Sequence, residues 1–154
     1  MIKVVISEQK LYHRRKTGVV RVYPVSTATR GAGNIYGSYQ TPLGKHAIKC
    51  KIGEGEQPWT VFVARQAAGV FCQSDKKQRK DWILSRILWL EGKQTGINKR
   101  GKKDTFRRYI YIHGTDEENK IGTPASHGCI RMKNEDIIDL FEHVSCGESV
   151  IIKA

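Results

Sequence analysis

The sequence predicts a mainly β domain carrying two helices, one central and one close to the C-terminus. Three observations lead there. Short runs rich in Val, Ile, Thr and Tyr recur along the chain, the residue types that pack well on a pleated, half-buried surface. Fifteen glycines supply turns between those runs. Apolar residues at spacings of three and four stand out in only two places. A length of 154 residues suits one domain, 1–154, with a single core.

Residues 2–6 make the first expected strand, with 9–13 as its hairpin partner around Glu8-Gln9. Residues 18–25 form the next, followed by a glycine-rich loop at Gly31–Gly37. Thr41-Pro42-Leu43-Gly44 is a turn before a strand at His46–Ile52, and Trp59–Ala64 is another strand. The segment Asp81–Leu90 carries Trp82, Ile83, Leu84, Ile87, Leu88, Trp89 and Leu90. Its three-and-four spacing, with Asp81 as a first-turn acid, predicts the central helix. The basic stretch Gly92–Arg107 is expected to be a long mobile loop. Tyr109–Ile112 reads as a strand running into His113, 115–125 as a polar connector, and 126–132 as extended chain. Asn134 is a good N-cap with Glu135 and Asp136 in the first turn, and Ile137, Ile138, Phe141 and Val144 mark a helix face that ends near Gly147. Ser149–Lys153 is the last strand.

The formal net charge is +12, from 27 basic and 15 acidic residues. Such a balance attracts polyanions. No helix-turn-helix, zinc-finger or RNA-recognition signature is present, so no specific nucleic-acid partner is expected. The basic cluster Lys93–Arg108 is either a field for an anionic substrate or a solvated surface. No 18-residue apolar stretch and no signal-peptide start occur, so the expectation is no membrane insertion and a cytoplasmic location, or a periplasmic one if a leader is missing. The four cysteines, Cys50, Cys72, Cys129 and Cys146, form no CxxC pair. Free thiols are expected, with no metal and no cofactor.

The chemistry is concentrated in Ser126-His127-Gly128-Cys129-Ile130-Arg131. Upstream lies a second histidine, in Tyr109-Ile110-Tyr111-Ile112-His113-Gly114-Thr115. A thiol with an imidazole in reach is the minimum apparatus for nucleophilic acyl transfer: the imidazole takes the proton and the thiolate attacks a carbonyl. Gly128 lets a carbonyl substrate come close to the backbone and frees N–H groups to face an oxyanion. His127 and Cys129, two apart in an extended segment, project to one face, so His127 is also open as the base. His13, His46 and His143 lie outside this block and read as structural.

His-Gly-Thr, then about a dozen residues, then Ser-His-Gly-Cys-Ile-Arg-Met resembles the signature of the L,D-transpeptidase catalytic domain, the YkuD-like family. Val-Tyr-Pro-Val-Ser-Thr at 22–27 and Thr-Pro-Leu-Gly at 41–44 resemble it too, so the likeness spans essentially the whole chain. It implies a β-sandwich whose strands carry the two halves of the site. It also implies attack on the carbonyl that links an L-centre to a D-amino acid in peptidoglycan stem peptides. By this resemblance Cys129 is the nucleophile, His113 the base and the Gly114 carbonyl its orienting partner. Gly128 and Cys129 supply oxyanion-hole N–H groups, and His127 lines the site. Ser126 and Arg131 are read as substrate contacts, with Arg131 either a carboxylate clamp or a structural ion pair. Gly33, Tyr36 and Tyr39 are expected at the cleft border. A carbapenem is expected to acylate Cys129. The partners implied are peptidoglycan stem peptides or soluble muropeptides. With no export route visible, the leading expectation is an L,D-carboxypeptidase that trims the terminal D-Ala from tetrapeptide stems in murein recycling. The alternative is an L,D-transpeptidase cross-linking stems in the cell envelope.

Overall fold

The computed structural model describes residues 1–79 and 81–154. Strands β1 (Ile2–Val5), β2 (Lys10–Arg14) and β3 (Val20–Pro24) run as an antiparallel meander. β1 pairs in parallel with the last strand, β10 (Ser149–Lys153), which lies antiparallel to β4 (Gly44–Ile52). β7 (Leu84–Gly92) is the branch point, pairing with β4, with β5 (Thr60–Val63) and with β8 (Tyr111–Gly114). β6 (Gln66–Val70), which the sequence reading did not anticipate, is the exposed hairpin partner of β5. β8 pairs in parallel with β9 (Ile130–Met132). One helix, α1 (Asn134–Glu142), joins β9 to β10 and packs on β7 and β8.

The fold is therefore mainly β, as expected, but one element is corrected. The segment read as the central helix is β7. Its residues are apolar on successive positions because the strand is buried on both faces and paired on both edges. Leu88 and Leu90 join the large core, whereas Ile87 belongs to a second cluster with Phe62 and Tyr111. The helical spacing comes from a bulge. Leu84 pairs with Gly114 and Ile87 with His113, so Ser85 and Arg86 are extra in the ladder. Ser85 takes φ 71°, and the two inserted residues turn a period of two into spacings of three and four.

The segment after β3 closes the sheet. Ser26 and Arg131 exchange backbone hydrogen bonds of 2.9 and 2.8 Å, tying this chain to β9. The sheet thereby curls around one apolar interior. Ile2, Val4 and Leu11 from its first strands meet Leu88, Ile112 and Ile130 from its last, and Ile137, Leu140 and Phe141 of α1 cover them.

The basic segment after β7 is a built loop, not the mobile one expected. Asn98, fully buried, donates from Nδ2 to the carbonyls of Leu43 (3.1 Å) and Lys45 (3.0 Å) and accepts from Gln94 N–H. Thr105, also buried, bonds His46 Nε2 at 2.9 Å. Asp104 accepts from the N–H groups of Arg100 and Arg107. The polar signal that suggested mobility is an internal hydrogen-bond network.

Helix α1 starts at Asn134 itself, so Asn134 is not the N-cap. Lys133 takes that place without a side-chain cap, and Glu118 accepts from Asn134 N–H at 2.7 Å instead. The Asn134 side chain is turned inward, taking a hydrogen bond from Ser85 Oγ (2.6 Å) and giving one to Thr115 O (2.8 Å). Among the described residues no helix is long and apolar enough to cross a membrane.

Ile112 lies at the centre of the core, between β7 and β9, with no exposure. Ile112→Ala should lower unfolding free energy by about 2–5 kcal/mol. A shift of the denaturation midpoint at unchanged slope checks it; a shift below about 1 kcal/mol contradicts this placement.

Candidate active site

The parallel pair β8–β9 builds the site through strand periodicity. Ile112 sits opposite Ile130, and His113 opposite Arg131. Ile110, Ile112, Ile130 and Met132 face the large core. Alternation then sends Tyr111, His113, Cys129 and Arg131 to the other face. Tyr111 and Cys129 are found there, packed with Ile87 and Phe62. Cys129 stands one diagonal step from His113 across the ladder, on the same face.

The Cys129 thiol is held in a backbone niche. Tyr111 N–H donates to Sγ at 3.3 Å, and the thiol donates to Tyr109 O at 3.5 Å. Gly128 before it takes φ 134°, a conformation glycine alone adopts readily. The Gly128 carbonyl accepts from Thr41 Oγ1 at 3.0 Å, which ties the Thr-Pro-Leu-Gly turn to the thiol loop. Ser126, expected as a substrate contact, braces the thiol loop. It is buried, its hydroxyl donates to Cys129 O at 2.6 Å, and it accepts from Gly128 N–H at 3.2 Å. This also corrects the expected pair of oxyanion donors, because the Gly128 N–H is occupied by Ser126. No such partner is seen for Cys129 N–H among the described residues.

His113 is fully buried, and Nδ1 lies 2.6 Å from Gly114 O. A carbonyl only accepts, so Nδ1 carries the proton and Nε2 presents its lone pair. Nε2 is buried without a partner. Gly114 is required here for space: a Cβ would stand 2.7 Å from Leu84 O and 2.5 Å from Asn134 Oδ1. The bulge in β7 and the buried Asn134 thus define the backbone that orients the imidazole.

Arg131 is corrected as well. Its guanidinium, 2% exposed, donates to Asp81 Oδ1 at 2.8 Å and to Glu117 Oε1 at 3.4 Å. It is a structural ion-pair centre and is not available as a carboxylate clamp. Asp81 and Glu117 were missed from sequence because their partner lies 50 and 14 residues away. Asp81 also lies 3.8 Å from His127 Nδ1.

Burial sets the protonation of the pair. It pushes the Cys129 thiol up to about 12, with Asp81 adding to the effect; Tyr111 N–H, Arg131 and Arg108 work in the opposite direction. Burial pushes His113 below the ordinary imidazole value, against the upward pull of Asp81 and of the bond to Gly114. The resting pair is a neutral thiol beside a neutral imidazole.

Two hollows flank this niche. One, about 220 Å³, is lined by Tyr36, Tyr39, Arg108, Tyr109, Ile110 and His127. The other, about 340 Å³, lies between Thr29, Arg30, Ser126, Tyr39 and His127. They share His127 and Tyr39, whose rings meet edge to face at 6.4 Å. Tyr36 and Tyr39 therefore border the cleft as expected, and Gly33 anchors its wall: Arg108 reaches from the basic loop to the carbonyls of Gly33 (3.1 Å) and Gln40. The His127 side chain is 57% exposed, so it lines the opening while His113 lies beneath. Among the described residues no cluster of metal-ligating side chains is gathered.

Removing the Arg131 charge should act on stability first. Arg131→Gln should cost about 3 kcal/mol, the low end for a broken buried pair because Asp81 and Glu117 keep contact with water. Denaturant unfolding measures this; full stability with only a raised KM would restore the clamp. A neutral resting thiol also has a labelling signature. Iodoacetamide should modify Cys129 slowly at pH 7 and about tenfold faster per pH unit up to pH 10. The exposed Cys72 thiol, held below its usual value by the Ser74 hydroxyl, should react first. Peptide-resolved mass spectrometry decides, and fast pH-independent labelling of Cys129 from pH 6 to 8 would reveal a preformed thiolate.

The family model of the L,D-transpeptidase catalytic domain (YkuD) matches residues 1–152. A Bacillus subtilis protein named as L,D-transpeptidase YqjB is 42% identical over 50 residues, 32% of this chain and 28% of that protein. An Escherichia coli protein named as L,D-transpeptidase YbiS is 51% identical over 43 residues, 28% of this chain and 14% of that protein. The match thus spans far less than two thirds of these relatives. Among solved structures, an L,D-transpeptidase of Xylanimonas cellulosilytica aligns with a TM-score of 0.60 at 17% identity, over 98% of this chain and 58% of that one. L,D-transpeptidase 3 of Mycobacterium tuberculosis, in complex with a faropenem-derived adduct, gives 0.56 at 16% identity, over 99% and 60%. At such identities the structural likeness bears on the fold. The family model, which matches all but two residues of the chain, settles the family: the chain belongs to the L,D-transpeptidase catalytic domain (YkuD) family.

Proposed function

We propose that this protein is a cysteine acyltransferase acting on peptidoglycan stem peptides, and that it passes the acyl group to an amine. The observation that carries the reading is the face of β8–β9 on which Cys129 lies diagonal to His113, whose Nε2 is unpartnered. His113 Nε2 takes the Cys129 proton as sulfur attacks the carbonyl between the L-centre and the D-residue. The oxyanion turns to Cys129 N–H, and Gly114 holds the imidazole in its tautomer throughout. Collapse expels the D-residue amine, which takes the proton back from His113 and leaves a thioester. An acceptor amine then attacks that thioester, His113 again moving the proton, and the thiol is released.

The two hollows meeting at Tyr39 and His127 offer separate places for a donor and an acceptor, one lined by Tyr109, whose carbonyl bonds the thiol, and the other by Ser126, which braces the thiol loop. The names of the B. subtilis and E. coli relatives support the same choice. Hydrolysis is the second reading. Both hollows open to solvent, and water reaching the thioester would make the protein the L,D-carboxypeptidase expected from sequence. Cross-linking places the protein with polymerised wall outside the inner membrane; trimming of recycled muropeptides places it in the cytoplasm.

Incubation with a purified disaccharide-tetrapeptide, followed by mass spectrometry, separates the two. A cross-linked dimer is expected; loss of one alanine without dimer identifies the carboxypeptidase. Cys129→Ala, at unchanged circular dichroism, should abolish either product by at least about three orders of magnitude. A carbapenem should leave one adduct per chain, on Cys129. No product and no adduct from the folded wild-type protein would overturn the reading.

A further inference from the structure

With Arg131 withdrawn into the structure, another cation stands over the aromatic rings whose backbone holds the thiol. β5 and β6 are joined by a two-residue turn, Ala64-Arg65, in which both residues take positive φ, 49° and 66°. Hairpin turns of this shape normally use Asn, Asp or Gly, and an alanine followed by an arginine is strained there. The strained turn sets the Arg65 guanidinium 5.0 Å from the Trp89 ring and 5.1 Å from the Tyr109 ring. It donates from Nη1 to Tyr111 Oη at 3.1 Å. These are the aromatics of the thiol niche. Tyr109 O accepts from Cys129 Sγ, Tyr111 N–H donates to it, and Trp89 stacks on Phe106 at 4.2 Å behind them.

Other arginines near the site are placed differently: Arg30 lies over the Tyr39 ring at 5.6 Å in the hollow it shares with Ser126. Arg131 is neutralised by Asp81 and Glu117, and Arg108 is bound to the carbonyls of Gly33 and Gln40. Arg65 has no carboxylate partner among the described residues, and Tyr111 occupies only one of its nitrogens. A planar cation laid on aromatic rings, with donors left over, is preorganised for a carboxylate.

We propose that Arg65 docks a carboxylate of the acyl donor and so positions the scissile carbonyl over Cys129. This rests on the stem-peptide reading above and names the donor group that the site selects. A stem peptide offers that chemistry from two sources: the C-terminal carboxylate of the departing D-residue, and the side-chain carboxylate of the donor residue where that residue is a diamino diacid. Arg65 is thereby a substrate-positioning residue, acting on the donor and not on the proton transfers.

The test is peptide binding to the full chain carrying Cys129→Ala, by calorimetry, with turnover measured in parallel on the protein with its thiol. Three tetrapeptides are used: unmodified, amidated at the C-terminus, and amidated at the side-chain carboxylate. Arg65→Asn is the chosen variant because Asn accepts positive φ, so the turn should persist. Arg65→Asn should weaken binding of the unmodified peptide about 10- to 100-fold and raise KM similarly, with kcat changed less than about threefold. Amidating the engaged carboxylate should cause the same loss in the Arg65 protein and none beyond it in Arg65→Asn; whichever amide does this identifies the source. Arg65→Lys should recover part of the affinity, since it keeps charge but lacks the planar fork. If Arg65→Asn weakens all three peptides equally, or none, the proposal falls even where turnover is intact. Carboxylate- and Arg65-dependent binding without turnover overturns the reaction reading and leaves the docking role standing. No binding of any peptide overturns both.

Discussion

The parallel pairing of β8 with β9 is the constraint on which the site depends. Each strand is short, but alternation makes each do two jobs. The isoleucines at 110, 112 and 130 are buried in the large core. That burial leaves no freedom in where Tyr111, His113, Cys129 and Arg131 go. A slip of one residue would send the thiol and imidazole into the core and four apolar side chains out of it. Register here is therefore enforced by hydrophobic burial, and the placing of thiol and imidazole on one face is a by-product of core packing. The flanking elements reinforce it: β7 pairs along β8, Ser26 bonds β9, and Asn134 fills the space beneath Gly114.

The same burial determines the electrostatics. Taken out of water, the thiol and the imidazole are both held neutral. Fixed charges close by oppose one another: Asp81 disfavours the thiolate, while Arg131 and Arg108 favour it. Arg131 joins Asp81 and Glu117 beneath the opening, so a single buried cation anchors the segment before β7 and the connector after β8 to β9. Ser126 and Thr41 complete the rigid loop, each bonding the backbone of the residues flanking the thiol. Preorganisation of this kind comes from backbone contacts that exist before any substrate arrives.

Positive charge divides into cations bound within the fold and cations free at its surface. Asn98 and Thr105 fasten the basic segment to β4, Asp104 ties the segment to itself, and Arg108 reaches out from it to the cleft wall. Its lysines at 93, 102 and 103 remain exposed. The field that such residues project depends on where the scaffold holds them, and a scaffold held by buried side-chain amides presents that field at a fixed place relative to Cys129.

Sequence by itself determined what is written in local pattern. The Ser-His-Gly-Cys block with its upstream His-Gly pointed to the family that the family model shows, because thiol, imidazole and glycine at that spacing form a distinctive local pattern. Alternation located the first hairpin and β10, and three-and-four spacing located α1. The tertiary structure decided the rest. Three-and-four spacing misread β7 because a bulge of Ser85 and Arg86 imitates a helix inside a strand buried on both faces. Arg131 stood open between clamp and ion pair because its acids are distant in the chain, and the loop after β7 looked mobile because the hydrogen bonds of Asn98 run to Leu43 and Lys45. Each of these is a long-range contact that satisfies a buried polar group. Such a contact leaves no mark on either segment until folding brings the two together, which is why residue pattern marks the Cys129 block and only packing shows what Arg131 and Asn98 hold.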